Sequence, residues 1–209
     1  MAARRGVFFS FDGLDGVGKT TQRELFCQWL RDRGHEVVNC IDPGTTALGE
    51  LLRKILLTDR ATPIGPRSEM LLFMAARAQL VEEVILPALG RGAVIVSDRF
   101  LLANVVYQGH AGGLDPIAVW QIGEVATQGV RPDLTFVLDM VSADAARRID
   151  RELDRMESRG EAFQRALRAG YLAEAARNPK EIVLVDAARS IDDVQAEIRQ
   201  HATPRLVGN

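Results

Sequence analysis

The residues best suited to chemistry lie in one glycine-rich segment, Gly13-Leu-Asp-Gly-Val-Gly-Lys-Thr20, which matches the pattern G-x-x-x-x-G-K-[ST] at every fixed position. Glycines let successive backbone N–H groups turn inward, and the helix predicted to follow adds the positive end of its dipole. The segment therefore predicts a cradle for the phosphates of ATP. The predicted cradle consists of Gly13, Asp15, Gly16, Val17, Gly18, Lys19, Thr20 and Thr21.

Two residues of this cradle have predicted catalytic roles. Lys19 would reach the β- and γ-phosphates, and the Thr20 hydroxyl would bind Mg²⁺. A second magnesium ligand is expected at the end of a strand, where Asp98 and Asp139 are both candidates. Asp98 is favoured because Arg99 follows it and could bind a phosphoryl group in transfer, although the pair could also form an ordinary strand-end ion pair.

A second set of residues could bind the molecule that receives the phosphate. Phe73 and Arg77 are four residues apart in a predicted helix, so an aromatic ring and a planar donor would project side by side towards a base. Phe73 could equally belong to the core, since apolar residues surround it. Asn104, Tyr107 and Gln108 follow a predicted strand, at the edge where open α/β sheets bind ligands.

The elements that would position these residues alternate between short apolar strands and longer helices. Strands are predicted at residues 6–11, 36–40, 93–97, 134–139 and 182–186. Helices are predicted at residues 19–33, 48–57, 68–89, 101–107, 116–128, 143–151, 161–177 and 191–201. This order predicts an α/β fold with a doubly wound, five-stranded parallel sheet in a single domain over residues 1–209.

Composition excludes several other classes of function. The 26 basic and 28 acidic residues are interspersed and the net charge is −2, which argues against a general nucleic-acid-binding role. The two cysteines, Cys27 and Cys40, lack the spacing of a metal site or a disulfide scaffold. No apolar run approaches membrane-spanning length, so we expect a cytoplasmic protein with no membrane partner.

The segment from about residue 147 to residue 160 differs from the rest of the chain in its density of charge. One interpretation is a solvated helix face with ion pairs between residues four apart. The other interpretation is a mobile, helical lid that carries arginines to the site.

Together these residues resemble the thymidylate kinase family, whose members transfer phosphate from ATP to dTMP and require Mg²⁺. The resemblance extends from about residue 7 to residue 201 and rests on five segments in one order. They are Phe11-Asp-Gly-Leu-Asp-Gly-Val-Gly-Lys-Thr-Thr21, Asp42-Pro-Gly-Thr-Thr-Ala-Leu-Gly-Glu50, Leu71-Leu-Phe-Met-Ala-Ala-Arg-Ala-Gln79, the stretch from Asp98-Arg-Phe100 to Tyr107-Gln-Gly109, and Asp154-Arg-Met-Glu157 before Tyr171-Leu172. The resemblance also implies a homodimer, for which the long third helix is the candidate interface, although its apolar face could equally belong to the core.

The resemblance implies a role for each candidate residue on the acceptor side. Phe73 would stack on thymine, and Arg77 would hydrogen-bond its exocyclic oxygen. Asn104 and Gln108 would complete the contacts with the base or sugar. Tyr107 would crowd the 2′ position and so favour deoxyribose.

The resemblance also implies the residues that would act on the phosphates. Asp15 corresponds to an acid near the acceptor sugar and phosphate, and Arg99 would contact the acceptor phosphate and the group in transit. One subtype of the family carries an arginine where this chain has Gly16, so here the lid is expected to supply the cation. The candidate lid cations are Arg148, Arg151 and Arg155.

One departure from the family pattern concerns the acceptor phosphate. The family usually reads Arg-Glu-Pro-Gly-Gly-Thr where this chain begins with Ile41 and Asp42. Loss of one charged phosphate contact costs about 2 kcal/mol, or roughly thirtyfold in binding, unless Arg53 compensates. The alternatives are therefore a P-loop kinase for another nucleotide or phosphorylated acceptor, and a nucleotide-binding protein with degenerate kinase activity.

Overall fold

The computed structural model describes residues 6–59, 61–150 and 152–207. Its five strands are β1 (Val7–Gly13), β2 (Val37–Ile41), β3 (Val94–Asp98), β4 (Leu134–Asp139) and β5 (Ile182–Asp186). They form one sheet in the order β2-β3-β1-β4-β5, and every neighbouring pair is parallel. This confirms the predicted α/β fold with a five-stranded parallel sheet.

Helices connect the strands. They are α1 (Lys19–Asp32), α2 (Ala47–Arg53), α3 (Pro66–Leu80), α4 (Leu86–Gly90), α5 (Leu101–Asn104), α6 (Pro116–Thr127), α7 (Ser142–Arg147), α8 (Glu161–Arg177) and α9 (Ile191–Val207). Wider π-helical turns follow α2, α3 and α5, at Lys54–Thr58, Val81–Ile85 and Val105–His110. A short 3₁₀ turn, Glu157–Arg159, precedes α8.

The sheet is buried on both faces because side chains along each strand alternate between them. In β1, Phe9 and Phe11 face one core, where they pack with Phe26 of α1. Phe8 faces the other core, which contains Met74 of α3. The near-continuous apolar sequence of the strands follows from this arrangement.

Two predicted helices differ from those in the structure. The helix predicted at residues 68–89 begins at Pro66 and is interrupted by the π turn Val81–Ile85, after which α4 starts with Pro87 in its first turn. Proline has no N–H to donate, so it is best tolerated where a helix begins anew.

The helix predicted at residues 143–151 ends earlier, at Arg147, and its last predicted residue lies outside the described residues. The expectation of a helical lid is therefore wrong for most of its length. The Asp154 carboxylate accepts the N–H groups of Met156 and Glu157 at 2.7 and 2.9 Å. This local turn competes with a continuing helix, and only the 3₁₀ turn Glu157–Arg159 is helical.

The register of the sheet brings the ends of three strands together. Asp98 at the end of β3 is the partner of both Phe11 in β1 and Ile41 at the end of β2. The glycine-rich segment follows β1, which lies in the middle of the sheet. Residues that follow β1, β2 and β3 consequently meet at one edge of the sheet, where ligands of open α/β sheets bind.

Two findings concern the possibilities that the composition argued against, a membrane span and a functional pair of cysteines. None of the helices within the described ranges is long and apolar enough to cross a membrane. Both cysteines are buried free thiols, and burial raises the pKa of Cys40 to about 12, so this thiol is a poor nucleophile at neutral pH.

Candidate active site

A cavity of about 440 Å³ lies at the carboxyl ends of the strands. It brings together most of the residues selected from the sequence. Those on its wall are Asp15, Gly16, Gly18, Lys19, Thr20, Arg53, Phe73, Arg77, Asp98, Arg99, Asn104, Tyr107, Gln108 and Arg148. Gly13, Val17, Thr21 and Arg155 do not line it, and Arg151 lies outside the described residues.

The glycine-rich segment forms a loop that ends at the start of α1. Gly18 has a left-handed φ of 92°, and no described side chain caps the first turn of the helix. A Cβ atom added at Gly18 would meet nothing within 4 Å, so the space in front of these backbone N–H groups is open. Val17 packs in the core, so any contact from it with phosphate would come through its main chain, whereas Thr21 is exposed.

Both the backbone conformation and a close contact require glycine at position 16. Its φ is 84°, and an added Cβ would lie 2.1 Å from the carbonyl oxygen of Ala145 in α7. The chain that follows β4 therefore packs directly on the phosphate loop. A side chain at this position, such as the arginine of the other subtype, could not be accommodated without moving α7.

The Lys19 ammonium group is bound within its own loop. It donates hydrogen bonds to the carbonyl oxygens of Leu14 at 2.6 Å and Gly13 at 3.2 Å, and to Asp15 Oδ1 at 3.1 Å. Burial, with the nearby charge of Arg99, lowers the pKa of Lys19 from its usual value. A phosphate would offer this ammonium group a stronger anionic partner than the two carbonyl groups do.

Arg99 connects the phosphate loop with the acceptor side of the cavity. Its backbone is left-handed, with φ 64°, and its N–H bonds the carbonyl oxygen of Phe11 at 2.9 Å. Its guanidinium donates to Asp15 Oδ1 at 2.7 Å and to the Gly13 carbonyl oxygen at 3.0 Å. It also donates to the hydroxyl group of Tyr107 at 3.1 Å.

Asp15 thus accepts from both cations of the site. Burial opposes its charge, but Lys19 and Arg99 outweigh that effect and hold the pKa of the Asp15 carboxyl well below its usual range. The Tyr107 hydroxyl donates to the other carboxylate oxygen of Asp15 at 3.3 Å.

Two residues behind Arg99 were not selected from the sequence. The Tyr171 hydroxyl accepts a hydrogen bond from Arg99 at 3.0 Å and donates to Asp12 Oδ1 at 3.3 Å. Asp12 is fully buried and also accepts from the hydroxyl of Ser10 at 3.1 Å. A carboxylate at the end of an otherwise apolar strand was the available signal for Asp12, whereas Tyr171 is one tyrosine within a long amphipathic helix.

The acceptor side is built around Arg77, which is almost completely buried. Its guanidinium donates to Asp42 Oδ2 at 2.6 Å, to Asn104 Oδ1 at 2.8 Å and to the carbonyl oxygen of Phe100 at 3.3 Å. Phe73, one turn earlier on α3, is half-buried: one part packs in a small apolar cluster and another lines the cavity. The core and ligand interpretations of Phe73 are therefore compatible.

The two amide side chains continue this network. Asn104 Nδ2 donates to Gln108 Oε1 at 2.7 Å, and Gln108 Nε2 donates to Glu69 Oε1 at 3.0 Å. Glu69, which the sequence did not single out, also accepts from Arg155 at 2.8 Å and from Arg159. This explains why Arg155 does not line the cavity.

The loop after β2 forms another part of the cavity wall. Ile41, where the family usually has arginine, is 38% exposed and lines the cavity. Thr45 has a left-handed φ of 66°, and its hydroxyl accepts the N–H of Ile41 at 2.8 Å. Arg53 donates to the carbonyl oxygen of Pro43 at 2.8 Å, so its guanidinium lies beside the loop that follows Ile41.

The two candidate aspartates for magnesium differ in their surroundings. Asp139 is held by Arg168 through two hydrogen bonds of 2.8 Å and does not line the cavity. Asp98 lines the cavity together with Thr20, is 18% exposed, and forms an ion pair with Arg23 at 3.7 Å. A hydroxyl and a carboxylate oxygen on one wall are ligands that Mg²⁺ prefers, so Asp98 and Thr20 fit the ion.

One cavity thus contains a phosphate loop, a polar pocket lined by an aromatic ring, and an arginine that lies between the loop and the pocket. These features define a P-loop kinase that acts on a small nucleotide-like acceptor.

The chain belongs to the thymidylate kinase family: the family described as "Thymidylate kinase" matches residues 11–198. It is 40% identical over 203 residues to the thymidylate kinase of Exiguobacterium sp., covering 96% of both chains. It is 43% identical over 205 residues to that of Chromohalobacter salexigens, covering 96% of this chain and 97% of the relative. The crystal structure of thymidylate kinase from Ehrlichia chaffeensis is similar with a TM-score of 0.78 and 27% identity, covering 94% and 98% of the two chains.

Proposed function

We propose that this chain transfers the γ-phosphoryl group of ATP to the phosphate of dTMP, giving ADP and dTDP by direct in-line displacement. The observation that carries the proposal is the position of Arg99, whose guanidinium contacts the phosphate loop at Gly13 and the acceptor-side hydroxyl of Tyr107. A phosphoryl group that passes between the two halves of the cavity would remain within reach of this cation throughout. Membership of the thymidylate kinase family supports dTMP as the acceptor.

On the ATP side, the main-chain N–H groups from Gly13 to Thr21 would bind the phosphates. Lys19 would exchange its bonds to the Gly13 and Leu14 carbonyl groups for bonds to the β- and γ-phosphates. Thr20 and Asp98 would hold Mg²⁺, which when bound neutralises charge on the phosphate oxygens.

On the acceptor side, Phe73 would stack on the thymine ring, and Arg77 would donate to its exocyclic oxygen. Asn104 and Gln108 would complete the base contacts, and Tyr107 would favour a deoxyribose. All five line the cavity. Because Arg77 and the two amides are already fixed by hydrogen bonds, little side-chain ordering would remain to oppose binding.

Two further residues would act on the acceptor phosphate. Arg53 lies beside the loop where the family arginine is absent and would bind this phosphate in its place. Asp15 would lie near the acceptor sugar and phosphate, where it also orients Lys19 and Arg99.

We assign the role of lid to the segment from about residue 147 to residue 160, within a single kinase domain over residues 1–209. Among the lid arginines, Arg148 lines the cavity and is the best-placed cation for the transferring group. Arg155 is engaged by Glu69 and would have to leave it to reach the phosphates. Lid closure would exclude water and so limit hydrolysis of ATP.

No protein nucleophile is needed for this reaction, because the acceptor phosphate is itself an anion near neutral pH and attacks directly. The contribution of the protein is therefore positioning and charge stabilisation by Lys19, Arg99 and a lid arginine.

An ADP-release assay with dTMP, dUMP, dCMP, dGMP and dAMP tests the acceptor. We expect dTMP to be preferred in kcat/KM, and Lys19→Ala to lose at least about a hundredfold in kcat, since one charged transition-state contact is removed. Equal turnover of all five monophosphates would contradict the acceptor assignment. Activity unchanged in Lys19→Ala would contradict the assignment of the phosphate site.

A homodimer formed through α3 and α6 is part of the proposal. These helices pack against each other and expose Leu71, Ile117 and Val125, which are 53, 61 and 81% exposed. We expect light scattering to give twice the chain mass, and Val125→Glu to reduce it. Since its substrates are nucleotide precursors, we propose the cytoplasm as its location.

A further inference from the structure

We infer that Glu69 is a positioning residue that fixes the orientation of the two acceptor-side amides and links them to the lid. Glu69 lies in the first turn of α3 and is buried. The inference rests on the base-binding roles proposed for Asn104 and Gln108.

The orientation of the amides follows from the two ends of the hydrogen-bond chain. Arg77 can only donate, so Asn104 must present its oxygen to it, at 2.8 Å. Glu69, paired with two arginines, is a carboxylate that can only accept, so Gln108 must present its nitrogen to it, at 3.0 Å. The bond of 2.7 Å between Asn104 Nδ2 and Gln108 Oε1 satisfies both requirements at once. Reversal of either amide would place two donors or two acceptors face to face.

A fixed amide orientation matters because pyrimidines differ in the pattern they present. Thymine offers an N–H donor beside a carbonyl acceptor, and cytosine offers an acceptor beside an amino donor. A site with one amide polarity matches only one of these patterns, and the other leaves buried groups unpaired. Glu69 would therefore determine base specificity without touching the base.

The same carboxylate also holds the lid. Its second oxygen accepts from Arg155, which precedes the 3₁₀ turn Glu157–Arg159, and from Arg159, the last residue of that turn. The main-chain N–H of Arg155 also bonds the carbonyl oxygen of Leu57 at 3.1 Å. A change in the hydrogen bonds of Asn104 and Gln108 would therefore alter the bonds that hold the lid, because Glu69 takes part in both.

Glu69→Gln tests this directly, because glutamine keeps the shape but can both donate and accept. The preference for dTMP over dCMP in kcat/KM should fall by at least about tenfold, with a higher KM for dTMP and a KM for ATP within about twofold of the parent. Glu82→Gln is the matched control, since this exposed glutamate on the turn after α3 accepts a hydrogen bond from the exposed Gln128, far in sequence from the amide network, and should leave all constants unchanged.

A second measurement does not depend on any variant folding. At equal fractional saturation of the wild-type protein, dTMP should slow trypsin cleavage after Arg155 and Arg159 by at least about threefold more than dCMP does. Equal protection by the two nucleotides would overturn the link between base recognition and the lid.

The failure of this inference can be told from failure of the proposed function. If Arg77→Ala and Asn104→Ala leave the KM for dTMP unchanged, the base-binding assignments themselves are wrong. If those variants raise it but Glu69→Gln keeps both the dTMP preference and the trypsin pattern of the parent, the role of Glu69 alone is refuted.

Discussion

The buried carboxyl of Asp12 makes the folded protein sensitive to pH in a defined window. Burial raises the pKa of Asp12 from 3.8 to about 6, against the opposing charges of Arg99 and Lys19, and Asp98 adds slightly to the rise. The native state therefore binds the Asp12 proton more tightly than the unfolded chain does. Its contribution is most favourable below the unfolded pKa and is lost as pH rises through the folded pKa.

The magnitude follows from the two pKa values, 3.8 and about 6. Each pKa unit corresponds to about 1.4 kcal/mol, so full ionisation of Asp12 costs the folded state about 3 kcal/mol. About half of this loss, roughly 1.4 kcal/mol, falls between about pH 5 and about pH 8, and the rest falls below about pH 5.

Asp12→Asn removes the titration while keeping the contacts. The neighbours of the carboxyl are the hydroxyl groups of Ser10 and Tyr171, each of which can either donate or accept, so an amide can pair with both. We expect the free energy of unfolding of the parent to fall by about 1.4 kcal/mol more than that of the variant between about pH 5 and about pH 8.

Urea unfolding at the two pH values, in nucleotide-free and magnesium-free buffer, measures this difference directly. Titration of all other groups is common to the two proteins and cancels in the comparison. Asp32→Asn is the control, because this aspartate is exposed and accepts a hydrogen bond from Gln28 of the same helix. If parent and Asp12→Asn lose the same free energy between the two pH values, Asp12 is not the group that titrates.

Three further predictions concern the loop, the acceptor pocket and the support of Arg99. Gly16→Ala places a Cβ 2.1 Å from a backbone oxygen of α7, so kcat/KM for ATP should fall at least about tenfold. The control is Gly34→Ala, at φ 80° in open space, which should lower only the free energy of unfolding, by about 1–2 kcal/mol. Equal kcat/KM for ATP in the two variants would refute this reasoning. Asp42→Ala leaves Arg77 buried without its carboxylate and should lower the free energy of urea unfolding by about 3–5 kcal/mol; a loss below about 1 kcal/mol would contradict a buried charge pair. Tyr171→Phe removes an acceptor of Arg99, the arginine proposed to act on the transferred phosphate, and should lower kcat about tenfold with little change in KM for dTMP in the ADP-release assay. A change confined to KM would place Tyr171 in binding.

The parts of this structure that could be predicted from sequence are those with a local cause. The strands are short apolar runs, and the phosphate loop needs glycines at fixed spacing, so both appear in the sequence itself. Asp98 and Arg99 could be selected because the carboxyl end of a parallel strand is where a ligand-binding residue is expected.

What the sequence did not reveal depends on residues that meet only in the folded chain. Glu69 and Arg155 are 86 residues apart, and Asp12 and Tyr171 are 159 apart. Nothing in the spacing of these pairs indicates contact. The local turn at Asp154, whose carboxylate accepts the N–H groups of Met156 and Glu157, likewise replaces the helix that the pattern of charged residues predicted.

Asp15 explains how the two halves of the site are coupled before any nucleotide binds. Lys19 and Arg99 share two acceptors, Asp15 Oδ1 and the carbonyl oxygen of Gly13. A triphosphate that draws Lys19 away leaves both acceptors to Arg99, which stays fixed between the phosphate loop and the Tyr107 hydroxyl. Binding of ATP would therefore strengthen the placement of the cation that the acceptor phosphate must meet, because competition for shared acceptors has been relieved.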